Sequence, residues 1–299
     1  MEILVIDDHS SDNTIAVVSD MARQYQQIRL LTNEREKGPS GTRNTGLLRS
    51  RGEYVAFLDA DDTWFPNHLK AGIGFLEDHC SIDIVFYNVE IYDCMAKRKT
   101  GDWFSERDFI SKLKTEELEE QYYIIHENIF HALLDEAFMH LQSMIVRKKI
   151  LAGILFNEDI KRSEDRDFCI RMYVCSNARF AFKNLVTGTY IRREKSLTSE
   201  SDENALSASM DHIRLFSGYL SMCSSDSVAI NKLNVMIYNR YMGASYLCRK
   251  KNNHKLAMKY LIRSYKYKIS FFQFVEFFKI SVSLVLFLFL IDSGKKPHS

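Results

Sequence analysis

The chain has 299 residues, enough for one large domain with a sizeable core and an appendage. Apolar residues make up 46% and charged residues 26%, proportions that exclude a disordered or fibrous chain. Lys and Arg number 40 against 39 Asp and Glu, so the net charge of +1 carries no global signal for nucleic acid. The balance hides an asymmetry: Arg249 to Lys268 holds eight Lys/Arg and no Asp/Glu.

Glu2 to Ile6 is a β-branched, apolar run that ends in Asp7-Asp8-His9-Ser10-Ser11-Asp12, which reads as a strand leaving its sheet into an acidic turn. Glu2, Asp7 and Asp8 interrupt any apolar run at the start, so no secretory leader is read there and a cytoplasmic location is expected. The spacing of Ile15, Val18, Met21, Ala22 and Tyr25 predicts a helix over 13–26, with Ser11 or Asp12 as its cap. A second strand is read at Ile28 to Leu31. Gly38-Pro39-Ser40-Gly41 then breaks the chain, a helix is expected over 42–50, and Tyr54 to Leu58 forms a strand ending on Asp59.

This strand–helix alternation predicts an α/β, Rossmann-like doubly wound mixed sheet, whose ligands bind beyond the carboxyl ends of the strands. Asp7-Asp8 and Asp59-Ala60-Asp61-Asp62 both fall at such ends. Further on, a helix over 66–77 and a strand over 82–92 are expected, then a polar stretch from Asp93 to Glu120 that reads as a variable insertion. Leu141 to Arg147 and Arg179 to Arg192 read as strands around a helix starting near Ser163. Beyond residue 204 the periodicity is helical. The chain therefore divides into an α/β domain over 1–204 and a helical region over 205–299, in which Tyr238 to Tyr265 resembles one tetratricopeptide-type hairpin. The six cysteines show no Cys-x-x-Cys spacing, which argues against a zinc site and for free thiols.

Three carboxylates within Asp59 to Asp62 repel one another unless a cation is shared among them, and hard oxygen ligands at a strand end suit Mg²⁺ or Mn²⁺. An acidic turn capping the next helix is the plainer alternative. Arg43 adds a permanent positive charge beside a glycine-containing helix start that favours an anion. Glu164-Asp165 suit a helix's first turn, and a carboxylate also suits the base that an attacking hydroxyl needs.

Four motifs in order, Val5 to Thr14, Gly38 to Gly46, Phe57 to Asp62 and Phe156 to Phe168, resemble family 2 glycosyltransferases over residues 2 to about 198. The resemblance implies the glycosyltransferase A fold, a nucleoside-diphosphate sugar donor with uridine the common base, a divalent metal, and inversion at the anomeric carbon. By position it implies donor contacts from Asp7, Asp8, Lys37, Arg43, Asp59 and Arg193, a metal on Asp61 and Asp59, and Asp165 as general base with Glu164 beside it. Tyr190 and Ser196 match the family's later motif, while Arg193 stands where His is usual. The family pattern also has a strand and loop ahead of Glu2 to Ile6, so a sheet lacking one strand is expected, with an inactive remnant as an alternative. A receiver-type signalling domain also matches Met1 to His9, but it leaves Arg43 and Glu164-Asp165 without roles.

Phe271 to Ile291 is apolar and aromatic but carries Glu276 and Lys279, and its uncharged part is shorter than the ~20 residues a membrane-crossing helix needs. With the basic run before it, residues 249–291 are expected to make peripheral contact with the inner face of the cell membrane. The expected acceptor is a glycan or polyprenyl-linked molecule, in surface polysaccharide synthesis.

Overall fold

The computed structural model describes residues 1–127, 129–193, 202–223 and 226–292. The chain divides into two compact units, Met1–Leu197 and Thr198–Ser299. Ser196 lies outside the described residues.

The first unit opens with β1 (Ile3–Asp7), α1 (Thr14–Gln24), β2 (Ile28–Thr32), α2 (Pro39–Arg49) and β3 (Tyr54–Ala56). β1 and β2 pair in parallel, with Ile3 opposite Ile28 and Asp7 opposite Thr32. Two expected boundaries shift. The cap position of α1 is Asn13, not Ser11 or Asp12, although the Asp12 carboxylate still accepts from the Thr14 amide at 3.0 Å. α2 starts at Pro39, because only Gly38 breaks the chain: its φ of 123° is closed to most side chains, and the proline behind it presets the first helical φ. Gly41 sits inside the helix and lets the preceding loop fold over it. A Cβ there would stand 2.0 Å from the Glu36 carbonyl oxygen.

The chain continues through β4 (Thr63–Trp64), α3 (His68–Asp78), β5 (Ile84–Asp93), β6 (Arg98–Asp102), β7 (Lys114–Glu117), β8 (Tyr122–Glu127), α4 (Ile129–Asp135), β9 (Met144–Arg147), α5 (Glu164–Ser176) and β10 (Phe180–Arg192). Their mixed sheet runs β3-β9-β5-β10-β8-β7, with β4 on β10 and β6 on β5. The β1–β2 ladder is separate from it in hydrogen bonding. Strands β5 and β10, parallel at the centre, carry the core: Ile84 to Tyr87 and Phe180 to Phe182 are buried along continuous runs, as expected of strands covered on both faces. The polar stretch after Asp93 contributes two strands and two buried plugs, Phe104 and Phe109, which pack around Phe86, Phe138 and Phe182.

Among the described residues the second unit holds four helices: α6 (Asp202–Met222), α7 (Ser227–Lys250), α8 (His254–Ser264) and α9 (Phe271–Asp292). α7 and α8 form a helical hairpin, turning at Asn252 (φ 57°) with Ala244 and Ala257 fully buried. α7 also packs on α6 and α9, so the hairpin's apolar face is covered within the unit. Among the described residues no helix is long and apolar enough to cross a membrane.

Candidate active site

Both acidic clusters lie at the carboxyl ends of their strands, Asp7 as the last residue of β1 and Asp59 to Asp62 just beyond β3. At the end of β1, Asp7 folds the turn onto itself by accepting from the His9 amide at 3.1 Å and the Ser10 amide at 3.2 Å. Its bonds with Ser10 and the His9 amide hold its carboxyl below the usual range against the effect of burial. His9 completes the turn with φ 62°, a conformation that costs a non-glycine residue about 1 kcal/mol. Asp8 points the other way and ties two loops together, accepting from Asn33 Nδ2 at 2.7 Å and the Gly38 amide at 2.9 Å. Lys37 is exposed on that same loop.

An aromatic knot brings the second cluster to the helix that follows Ser163. Phe57, just past β3, meets Phe156 and Phe168 edge to face at 5.4 and 5.9 Å, and Phe156 stacks on Phe168 at 3.9 Å. Phe168 lies one turn along α5 from Glu164, so seating it in the knot turns Glu164 toward Asp59. Arg43 fills the space between them. Its guanidinium donates to Glu164 at 2.9 Å and to both Asp59 oxygens at 2.9 and 3.1 Å, and it lies over the Phe156 ring at 5.4 Å. Burial alone would lower the Arg43 pKa, but Asp59 and Glu164 outweigh it and the net shift is upward. Glu164 is pushed up by burial and by Asp165, with Arg43 opposing. Asp165 beside it is half-buried and accepts from the Arg166 amide at 2.7 Å. Arg166 in turn donates to the carbonyls of Leu133 and Leu134 at the end of α4, fixing where α5 begins.

Asp59, Asp61 and Asp62 differ sharply. Asp62 is buried and accepts from the Ile191 amide of β10 at 2.8 Å, and burial, with Asp59 and Asp61 adding to it, pushes its carboxyl up to about 7. Asp59 and Asp61 keep 45% and 46% of their side chains exposed. Arg193 meets Asp61 at 3.6 Å, a long, exposed ion pair worth about 0–1 kcal/mol at most. Among the described residues no group of three His, Cys, Asp or Glu forms a cation site on its own. Two exposed carboxylates fit a hard cation that takes its other ligands from water and phosphate.

Two residues outside the expected set organise this end of the sheet. Asn33 is buried and gives Nδ2 to Asp8 and to the Glu36 carbonyl, while its oxygen accepts from Thr45 and Arg35. Asn44, fully buried on α2, donates to the Phe156 carbonyl at 2.9 Å and to Glu158 at 2.6 Å, and accepts from the Phe156 amide at 2.7 Å. The signal for Asn44 in the sequence was a polar face, Ser40, Asn44 and Thr45, on a helix that buries that face; Asn33, in the loop after β2, had none. A further aromatic group, Trp103, His140 and Tyr190, lies on the same side: Trp103 and His140 meet at 4.4 Å, and burial pushes the His140 ring down to about 4, with Asp59 opposing and Arg107 and Arg43 adding to it.

The family model described as "Glycosyl transferase family 2" matches residues 1–151, and the chain belongs to that family. It is 28% identical over 169 residues to an uncharacterized glycosyltransferase of Methanocaldococcus jannaschii, covering 56% of this chain and 52% of that one. To the GalNAc(5)-diNAcBac-PP-undecaprenol beta-1,3-glucosyltransferase of Campylobacter jejuni it is 26% identical over 283 residues, 90% of this chain and 80% of the relative. The chain thus spans about half the length of the first relative and most of the second. Among solved structures, S. aureus TarS in complex with UDP-GlcNAc aligns with a TM-score of 0.59 at 18% identity, over 99% of this chain and 84% of that one. That likeness shows the glycosyltransferase A fold.

Proposed function

We propose that the chain is an inverting glycosyltransferase that moves a sugar from a nucleoside-diphosphate donor, of which UDP-sugars are the favoured kind, to a glycan or polyprenyl-linked acceptor in surface polysaccharide synthesis. The observation that carries this reading is the bridge from Asp59 through Arg43 to Glu164, which joins the donor-side carboxylates to the helix bearing the candidate base. The relative from Campylobacter jejuni is named for an undecaprenol-linked acceptor, and the TarS structure holds UDP-GlcNAc.

In this reading the acceptor hydroxyl attacks the anomeric carbon opposite the diphosphate and passes its proton to Asp165. The bond from that carbon to the diphosphate oxygen breaks, and the configuration inverts. Asp165 spends one oxygen on the Arg166 amide, which orients the other. Glu164 is committed to Arg43, so it positions rather than accepts. Asp7, Asp8, Lys37 and Asp59 line the donor's nucleoside side, and Arg193 meets the diphosphate. Asp61 and Asp59 would hold Mg²⁺ or Mn²⁺, which when bound stabilises the charge of the departing diphosphate. Such acceptors place the work at the inner face of the cell membrane.

Thermal unfolding with UDP and Mn²⁺ tests the donor site. A rise in Tm that requires both, and that Asp61→Asn removes, supports the reading through ligand linkage. No shift with any nucleoside diphosphate overturns it.

A further inference from the structure

Helix α9 has two faces of opposite chemistry. Its inward stripe is narrow: Gln273, Glu276 and Ile280, spaced three and four residues apart, are all buried. Gln273 donates to the Ser264 hydroxyl at 2.7 Å and to the Lys268 carbonyl at 2.9 Å, and it accepts from the Ser270 amide at 2.8 Å. Glu276 takes the Arg249 Nε at 2.8 Å. The acid that interrupts the apolar run in the sequence is therefore turned into the helical unit and neutralised there. Outward stand Phe271, Phe272, Phe274, Phe277 and Phe278, from 50% to 77% exposed, and Ile269, two residues before them in the chain, is exposed as well. A contiguous apolar patch of this kind marks an interaction surface.

Charge selects its occupant. Lys255, Lys259 and Arg263 share one face of α8, and Lys266 and Lys268 follow in the turn to α9, all of them exposed, with no acidic residue from Arg249 to Lys268. Lys279, on the outer side of α9, is exposed as well. Phenylalanines flanked by lysines match a surface that is apolar below and negatively charged above.

We propose that the helical unit docks on an anionic lipid leaflet, with α9 lying in the interface, its phenylalanines among the acyl chains and the α8–α9 lysines on the phosphate headgroups. This docking rests on the second unit alone and stands or falls separately from sugar transfer.

Co-sedimentation of the full chain with vesicles tests it. Binding to phosphatidylglycerol-containing vesicles, at least tenfold weaker on pure phosphatidylcholine, is expected. The combined variant Phe271→Ser, Phe272→Ser, Phe274→Ser and Phe278→Ser loses binding at least tenfold with unchanged helical circular dichroism. If that variant loses its helical signal, Lys255→Gln, Lys259→Gln and Arg263→Gln carry the test: a tenfold loss supports the docking and unchanged binding overturns it. No sedimentation of the unaltered chain, full binding by the Phe variant, or an oligomer that the Phe variant dissociates in place of vesicle binding also overturns it, the last making the face a protein interface.

Discussion

Arg43 and Glu164 are 121 residues apart in the chain, yet the guanidinium donates to the carboxylate at 2.9 Å. Both side chains are largely shielded, at 13% and 14% exposure, so neither charge has much water to fall back on. A second donor on the same guanidinium holds Asp59. One side chain thereby sets the distance between two parts of the site.

Arg43→Ala leaves a shielded Glu164 without its cation, which by analogy with broken buried pairs costs about 3 kcal/mol of stability. Arg43→Lys restores the charge but not the fork that reaches two carboxylates, and should recover less than half of the loss. Urea unfolding of the three proteins gives the order wild type, Lys, Ala.

Asn44→Ala removes three hydrogen bonds that pin the Phe156–Glu158 loop and leaves the buried Phe156 amide unsatisfied, a loss of about 2–3 kcal/mol. Asn44→Asp has the same size but sets a carboxylate against Glu158 and the Phe156 carbonyl, and should be at least as destabilising. Equal stability of Asn44→Ala and wild type in urea unfolding would remove Asn44 from its clamping role.

Two glycines separate crowding from conformational freedom. In α2, Gly41→Ala would place a methyl 2.0 Å from the Glu36 carbonyl oxygen and must displace the loop carrying Lys37, lowering Tm and weakening donor binding together. In α3, a Cβ at Gly74 meets nothing within 4 Å, so Gly74→Ala should raise stability by about 0.5–1 kcal/mol. Melting curves of both variants check the pair.

His68 sets a pH dependence. It stacks on Trp64 at 4.5 Å, shares a hydrogen bond with Thr187 at 2.9 Å, and its Nε2 is buried with no partner among the described residues. Burial pushes its pKa down to about 4. The folded value lies below the unfolded 6.5, so the unfolded chain gains the proton first: the stability tied to neutral His68 is complete above pH 6.5 and is lost as pH falls toward 4. His68→Asn should therefore be less stable than wild type at pH 7.5, with the gap narrowing at pH 5. Urea midpoints at the two pH values give the comparison.

Much of this was legible in the sequence because apolar periodicity is local. The runs that became β1, β2, β3 and β5 ended where the strands end to within a few residues, and both acidic clusters fell at strand ends. Elements without such a pattern were missed: β8 and α4 follow a polar stretch whose two buried anchors, Phe104 and Phe109, are isolated in sequence. The roles of Asn33 and Asn44 depend on loops that meet only in three dimensions, since Asn44 and Phe156 are 112 residues apart. Glu276 reads in the sequence only as a charge interrupting the apolar run, and its pairing with Arg249 turns it inward. Side-chain pairing across the fold has no period, so a linear pattern does not carry it.

The most direct test of sugar transfer is a panel of nucleotide sugars incubated with Mn²⁺ and a polyprenyl-linked acceptor, with release of the nucleoside diphosphate and the product's anomeric configuration both measured. The account predicts an inverted product from at least one UDP-sugar. It also predicts a rate lowered about 10²-fold or more by Asp165→Asn, the scale of a lost general base, while UDP still raises Tm. A retained anomeric configuration, or an Asp165→Asn variant as fast as wild type, would contradict it.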